Sequence, residues 1–177
     1  MAALRALAPE LAAALEWHCI GPIQSNKTRL VAEHFDWAQT VDRLKIAQRL
    51  SDQRPAHLPP LMVCIQVNVD GGANKSGVAP AETLELVRAA AALPRIVVRG
   101  LMSIPEPAAD FDAQLELHQR ASRLFADIAA QHVPGLERFD TLSMGMTDDL
   151  AAAVQAGSTM VRVGSGIFGR RSYPSKP

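Results

Sequence analysis

The chain has 177 residues, of which 48% are hydrophobic, so it is long enough to form one domain with a substantial core. It contains 18 Lys plus Arg residues and 18 Asp plus Glu residues, which gives a formal net charge of zero. No overall positive field is therefore available to recruit nucleic acid or an anionic membrane, and we expect neither as a partner.

The first 15 residues are rich in Ala and Leu and are predicted to form an amphipathic helix. Their apolar run is too short to span a bilayer, and they lack the basic start and the cleavage site of a signal peptide. Cys19 and Cys64 each lie in an apolar run without a CxxC spacing, which is typical of small buried residues in a reducing compartment. These features predict a cytoplasmic protein.

Six short runs of apolar or β-branched residues recur along the chain, and each is nearly continuous in apolar character. Continuous runs, unlike alternating ones, indicate strands that are covered on both faces, as in parallel sheets. The predicted strands cover residues 16–20, 37–41, 61–67, 96–102, 139–144 and 159–163.

Helical patterns lie between the predicted strands, over residues 27–35, 42–53, 80–93, 110–131 and 147–157. Asp42 and Thr147 are expected to cap the second and the last of these helices with their side-chain oxygens. Pro80 suits a first helical turn, and Pro94 is expected to stop the helix that Pro80 begins.

The strict alternation of strands and helices predicts parallel strands joined by right-handed crossovers. Two α/β architectures satisfy this pattern, an open doubly wound sheet and a (β/α)8 barrel of the TIM type. A barrel of about 250 residues needs eight units of roughly 30 residues each, so six units fit a barrel that is short of two. The periodicity alone does not choose between the two architectures.

A glycine-rich loop follows the last predicted strand, with Gly164, Ser165 and Gly166 ahead of a predicted short helical turn. Glycines allow the backbone to approach an anion, and amide N–H groups at a helix start point toward it. The preceding strand ends at Ser143 in the segment SMGMT, which offers a hydroxyl, a glycine and a helix start. In barrels the phosphate site is often built from the loops after the last two strands. We therefore expect phosphate binding here, with an ordinary glycine-rich loop as the alternative.

Arg162 lies inside the last apolar strand, two residues before the glycine loop. A charged residue within an apolar strand is costly unless it is paired or faces a site, so Arg162 either points at a ligand or extends to the barrel rim. Asn68 and Met102 stand at the ends of the third and fourth strands, and His18 stands in the first. Each alone is more often structural, but together they suit the mouth of a barrel.

Five segments resemble the family of pyridoxal phosphate homeostasis proteins, in the order and spacing of that family: WHCIGPIQSNK, QVNVDGGANKSG, RGLMSIPEP, LSMGMTDDL and GSTMVRVGSGIFGRR. These proteins share their barrel with the N-terminal domain of alanine racemase. The resemblance implies a (β/α)8 barrel over residues 1–177 that binds pyridoxal 5′-phosphate. It assigns Ser143, Gly164 and Ser165 to the phosphate and Arg162 to the pyridine nitrogen, and Asn68 and Met102 complete the predicted cofactor-binding set.

The resemblance also implies a lysine on the first barrel strand that holds the cofactor aldehyde covalently. In the family, that strand and the second one precede the Trp-His segment, whereas here about one helix precedes it. We therefore expect an N-terminally truncated barrel with about six of its eight strands. The chain's four lysines match other family positions or none: Lys27, Lys45, Lys75 and Lys176. Weak, reversible cofactor binding is the expected consequence.

Three functions remain open on the sequence. The first is a non-catalytic carrier or regulator of the vitamin B6 pool, monomeric in its full-length form, which hands the cofactor to pyridoxal phosphate-dependent apoenzymes. The second is a racemase-like enzyme with the same cofactor. Alanine racemase adds a second domain with a catalytic tyrosine, whereas this chain has one tyrosine, Tyr173, near its end. The third is a barrel that binds another phosphorylated small molecule.

Overall fold

The computed structural model describes residues 15–72 and 76–169. Residues 1–14 of the predicted N-terminal helix are not among the described residues, and neither are Lys75, Tyr173 and Lys176. Within the described ranges, no helix combines the length and the hydropathy needed to cross a membrane.

The described residues form a parallel five-stranded sheet with helices between its strands. The strands are β1 (His18–Cys19), β2 (Trp37–Val41), β3 (Leu61–Gln66), β4 (Ile96–Met102) and β5 (Thr141–Ser143). The helices are α1 (Thr28–His34), α2 (Leu44–Gln53), α3 (Pro80–Ala91), α4 (Phe111–Ala129), α5 (Leu150–Gln155) and α6 (Ser165–Phe168).

The order of the strands in space follows their order in the chain, and every pair of neighbours is parallel. A doubly wound sheet reverses its strand order at a switch point, whereas a barrel adds each new strand beside the previous one. The sheet is therefore part of a barrel, which resolves the choice that the periodicity left open.

The prediction of a sixth strand over residues 159–163 is wrong for the described structure. Only an isolated bridge between Ser143 and Met160 joins this segment to β5. The segment still runs beside β5, since the amide of Thr159 donates to the Leu142 carbonyl at 3.0 Å. The regular ladder stops because Gly145 turns the chain with a φ of +92° immediately after β5.

Both predicted side-chain caps are wrong, and each oxygen has another partner. Arg43 occupies the N-cap of α2 without a side-chain bond, and Asp42 accepts a hydrogen bond from Arg43 at 2.7 Å instead. Helix α5 begins later than expected, with Asp149 at its N-cap. Thr147 instead contacts the glycine loop, as described below. Pro80 does begin α3, as predicted.

The sheet separates two apolar layers. Its helix-facing side packs against α1 to α5 and carries most of the core, including Val41, Ile65 and Leu101. Its other side carries a small cluster of Trp37, Cys64 and Met102, against which Met62, Ile104 and Met160 pack. Both faces of the strands are therefore covered, as the continuous apolar runs predicted.

The two cysteines are free. Cys64 is fully buried, and burial raises the pKa of its thiol to about 12, so it behaves as a small apolar residue. Cys19 is half-buried, and burial raises the pKa of its thiol as well.

Candidate functional site

A cavity of about 470 Å³ opens on the side of the sheet that faces away from the helices. It lies beside the carboxyl end of β1 and beside residues 160–164, which follow helix α5. It is lined by His18, Ile20, Gln39, Met160, Val161, Arg162, Val163 and Gly164. Of the six predicted site residues, Arg162 and Gly164 line this cavity, whereas Ser143, Ser165, Asn68 and Met102 are not among the lining residues.

Arg162 points inward and is held by three hydrogen bonds. Its Nη1 donates to Ser143 Oγ at 2.8 Å, and its Nη2 donates to the Ser103 carbonyl at 2.9 Å. Its backbone amide donates to the Gly145 carbonyl at 2.9 Å. Burial lowers the pKa of Arg162 from its ordinary value, and the carboxylate of Asp149 opposes this shift. The guanidinium is therefore a fixed cation on the cavity wall, because arginine stays protonated in proteins.

Ser143 and Gln39 extend this arrangement across the sheet. Ser143 is fully buried, and its hydroxyl donates to Gln39 Oε1 at 2.6 Å. The amide nitrogen of Gln39 lies 2.7 Å from His18 Nδ1 and 3.1 Å from Met160 Sδ. His18, Gln39, Ser143 and Arg162 thus form one hydrogen-bonded chain, which we call the polar chain.

The polar chain ends at His18, whose ring lies 5.1 Å from that of Trp37 in a stacked arrangement. Burial lowers the pKa of His18, while the carboxylates of Glu16 and Asp36 oppose that shift. A neutral His18 accepts from Gln39 at Nδ1 and carries its proton at Nε2, 3.9 Å from Glu16 Oε2. The half-buried histidine is therefore both a packing residue and part of the cavity wall.

The glycine loop of residues 164–166 lies beside the loop after β5, as the sequence predicted. Thr147 Oγ1 accepts hydrogen bonds from the Gly166 amide at 3.0 Å and from Ser165 Oγ at 3.1 Å. A Cβ at position 166 would lie 3.0 Å from Thr147 Cγ2, so this close approach favours glycine. A Cβ at Gly164 would meet nothing within 4 Å, so the backbone there faces open space.

Asn68 and Met102 are not among the residues that line the cavity. The Asn68 side chain closes a turn, because it donates to the Gly72 carbonyl at 2.9 Å and accepts from the Gly71 amide at 3.0 Å. Met102 is fully buried beside Trp37. Their contact with a cofactor stays a prediction.

Two features of the site fit an anionic ligand that carries further polar groups. Arg162 supplies a fixed cation, and the exposed backbone at Gly164 allows close approach. Among the described residues, the buried hydroxyl of Ser103 has no hydrogen-bond partner, although the Ser103 carbonyl binds Arg162.

Sequence reasoning missed Gln39 and gave Thr147 a different role. The signal for Gln39 was an amide in the centre of the apolar run WAQTV, where an unpaired polar group would be costly. The signal for Thr147 was ambiguous, because a threonine at a helix start is more often a cap than a loop contact.

A family model described as the N-terminal domain of alanine racemase matches residues 3–172. A pyridoxal phosphate homeostasis protein of Vibrio alginolyticus is 57% identical over 159 residues, which cover 90% of this chain and 66% of the relative. The Escherichia coli K12 protein of the same name is 54% identical over 162 residues, which cover 92% and 68%. The chain thus spans about two thirds of the length of these relatives.

Solved structures show the same fold. PipY of Synechococcus elongatus, solved with pyridoxal phosphate bound, is 34% identical with a TM-score of 0.82, covering 94% of this chain and 76% of PipY. Alanine racemase of Corynebacterium glutamicum is 21% identical with a TM-score of 0.61, covering 93% of this chain and 44% of the racemase. At that identity the second likeness shows the barrel fold alone.

Proposed function

This chain belongs to the family of the alanine racemase N-terminal domain, and on that premise we propose that it binds pyridoxal 5′-phosphate and serves in cofactor homeostasis. The observation that carries the proposal is Arg162, a fixed cation that lines a 470 Å³ cavity beside the glycine loop. The names of its relatives and the ligand in PipY agree with this assignment.

The residues divide between the two ends of the cofactor. The glycine loop and Ser143 would hold the phosphate through amide and hydroxyl donors, and Arg162 would face the pyridine nitrogen. When bound, the cofactor supplies an aldehyde that reacts with amines and a ring that accepts electrons. A cation at the ring nitrogen opposes its protonation and weakens the ring as an electron sink. This suits a carrier or regulator better than an enzyme that stabilises carbanions.

The described lysines favour non-covalent binding. Lys27 and Lys45 are both exposed, and neither lines the cavity. We propose that the cofactor is handed from this site to pyridoxal phosphate-dependent apoenzymes as recipients. We also propose that the full-length protein acts as a monomer.

Equilibrium dialysis of the purified chain against pyridoxal phosphate tests the proposal. Pyridoxal, which lacks the phosphate, and inorganic phosphate serve as matched probes. We expect pyridoxal phosphate to bind more tightly than either fragment, because both ends of the site contribute. Equal binding of pyridoxal phosphate and an unrelated sugar phosphate would instead support a general site for phosphorylated molecules.

A further inference from the structure

The hydroxyl of Ser143 has a single proton, and the structure shows where it goes. Arg162 Nη1 donates to Ser143 Oγ at 2.8 Å, so the oxygen acts as an acceptor on that side. The hydroxyl proton is directed at Gln39 Oε1, 2.6 Å away in a fully buried contact. A serine hydroxyl can donate only one hydrogen bond, so Ser143 has none left for a ligand while this bond persists.

The orientation of the Gln39 amide is fixed by its other contacts. Its nitrogen faces two acceptors, His18 Nδ1 at 2.7 Å and Met160 Sδ at 3.1 Å. If the amide were turned over, its oxygen would face these acceptors and would be left without a donor. Gln39 therefore presents its oxygen to Ser143 as long as Nδ1 of His18 carries no proton.

We propose that Gln39 is a positioning residue that holds the hydroxyl proton of Ser143 away from the ligand and so weakens phosphate binding. The inference rests on the proposed function, in which Ser143 contacts the phosphate of pyridoxal phosphate. For Ser143 to donate to that phosphate, its bond to Gln39 must break, and a carbonyl oxygen in a buried place loses its donor. Gln39 itself is 2% exposed, so water offers little replacement. The internal bond and the ligand thus compete for one proton.

Two substitutions at this position are expected to change affinity in opposite directions. Gln39→Met keeps an unbranched side chain of similar length but removes the acceptor, which frees the Ser143 proton. We expect pyridoxal phosphate to bind about three- to tenfold more tightly to this variant. Gln39→Glu strengthens the acceptor and adds a negative charge beside Arg162, so we expect binding about tenfold weaker or worse.

A purely structural role for Gln39 predicts a different pattern, because both variants would then bind more weakly. Dialysis affinities should therefore be measured together with the midpoint of urea unfolding for each variant. In a Ser143→Ala background the Met substitution should have no effect on affinity, since the competing proton is gone. Weaker binding by Gln39→Met, or an unchanged gain in the Ser143→Ala background, would overturn the inference.

The outcomes also separate this inference from the proposed function. Failure of the unmodified chain to bind pyridoxal phosphate would refute the function itself. Normal binding by the unmodified chain, with no gain in Gln39→Met, would refute only the role of Gln39. If the Met variant does not fold, Gln39→Leu replaces it. The Glu variant then still decides the matter, because binding as tight as that of the unmodified chain would contradict the competition.

Discussion

Replacing Arg162 with methionine tests the centre of the site most directly. The substitution keeps most of the side-chain length but removes the charge and the donors to Ser143 Oγ and the Ser103 carbonyl. The backbone bond from position 162 to the Gly145 carbonyl remains. Any change therefore reports the guanidinium group and not the path of the chain.

The size of the stability loss follows from the two acceptors that are left behind. Hydrogen bonds from charged donors contribute about 1.5–3 kcal/mol each. Removing a half-buried cation also relieves the cost of its burial, which is the cost that lowers the pKa of Arg162. We expect a net loss of about 2–3 kcal/mol, which shifts the melting temperature by about 4–12 °C for a domain of this size.

The same substitution should weaken binding beyond its effect on folding. The cavity loses its fixed cation, so we expect affinity for pyridoxal phosphate to fall about tenfold or more, after correction for the folded fraction. Arg95 offers a matched control, because its guanidinium likewise donates two hydrogen bonds, in this case to the carbonyls of Arg54 and Pro55, away from the cavity lining. Arg95→Met should lower the melting temperature and leave affinity unchanged.

Thermal melts and dialysis on both variants decide the question. An Arg162→Met variant that melts and binds like the unmodified chain would refute the assignment of Arg162 to the ligand. Equal losses of affinity in both arginine variants would show that binding follows overall stability alone.

Three further predictions follow from the polar chain and the loops. Thr147→Val should lower the unfolding free energy by about 0.5–1.5 kcal/mol because the Gly166 amide loses its acceptor, and Thr147→Ser should restore it; equal stability of both variants in urea titrations would contradict this contact. Because burial lowers the pKa of His18, the folded chain takes up its proton less readily than the unfolded chain, so unfolding free energy should fall as the pH drops below about 6.5. Urea titrations should show a shallower fall in His18→Asn, and an identical slope would count against a half-buried neutral ring. Borohydride treatment of the chain with stoichiometric pyridoxal phosphate should give no selective adduct at Lys27 or Lys45 by peptide mass spectrometry, since both lie outside the cavity lining. Quantitative labelling of either lysine would oppose this prediction.

The sequence predicted the strands well where apolar runs are long and bounded by polar or proline residues. Strands β2 and β4 have the predicted bounds, residues 37–41 and 96–102. The order of the strands could not be predicted from periodicity, because an apolar run indicates burial and not which neighbour it pairs with. The two helix caps failed for a related reason. Asp42 and Thr147 found partners in other residues, and such competition is invisible in a local pattern.

Arg162 and Ser143 were predicted from the sequence as members of the candidate site, whereas Gln39 was not. Arg162 stood out because a charge within an apolar strand needs a reason. Gln39 is also polar within an apolar strand, but an amide there has many uses, and its partners are remote in sequence. His18 lies 21 residues before it and Ser143 lies 104 residues after it. Only the barrel brings these three side chains together.

Gly145 joins the loop after β5 to the segment around Arg162, two parts of the chain that are separated in sequence by α5. Its φ of +92° and the 2.4 Å that would separate a Cβ there from Ala153 Cβ both require glycine. The turn that it makes presents its carbonyl to the Arg162 amide, which fixes the arginine where its guanidinium reaches Ser143. The irregular path after β5 that ended the predicted sixth strand is therefore the same feature that aims the cation at the cavity.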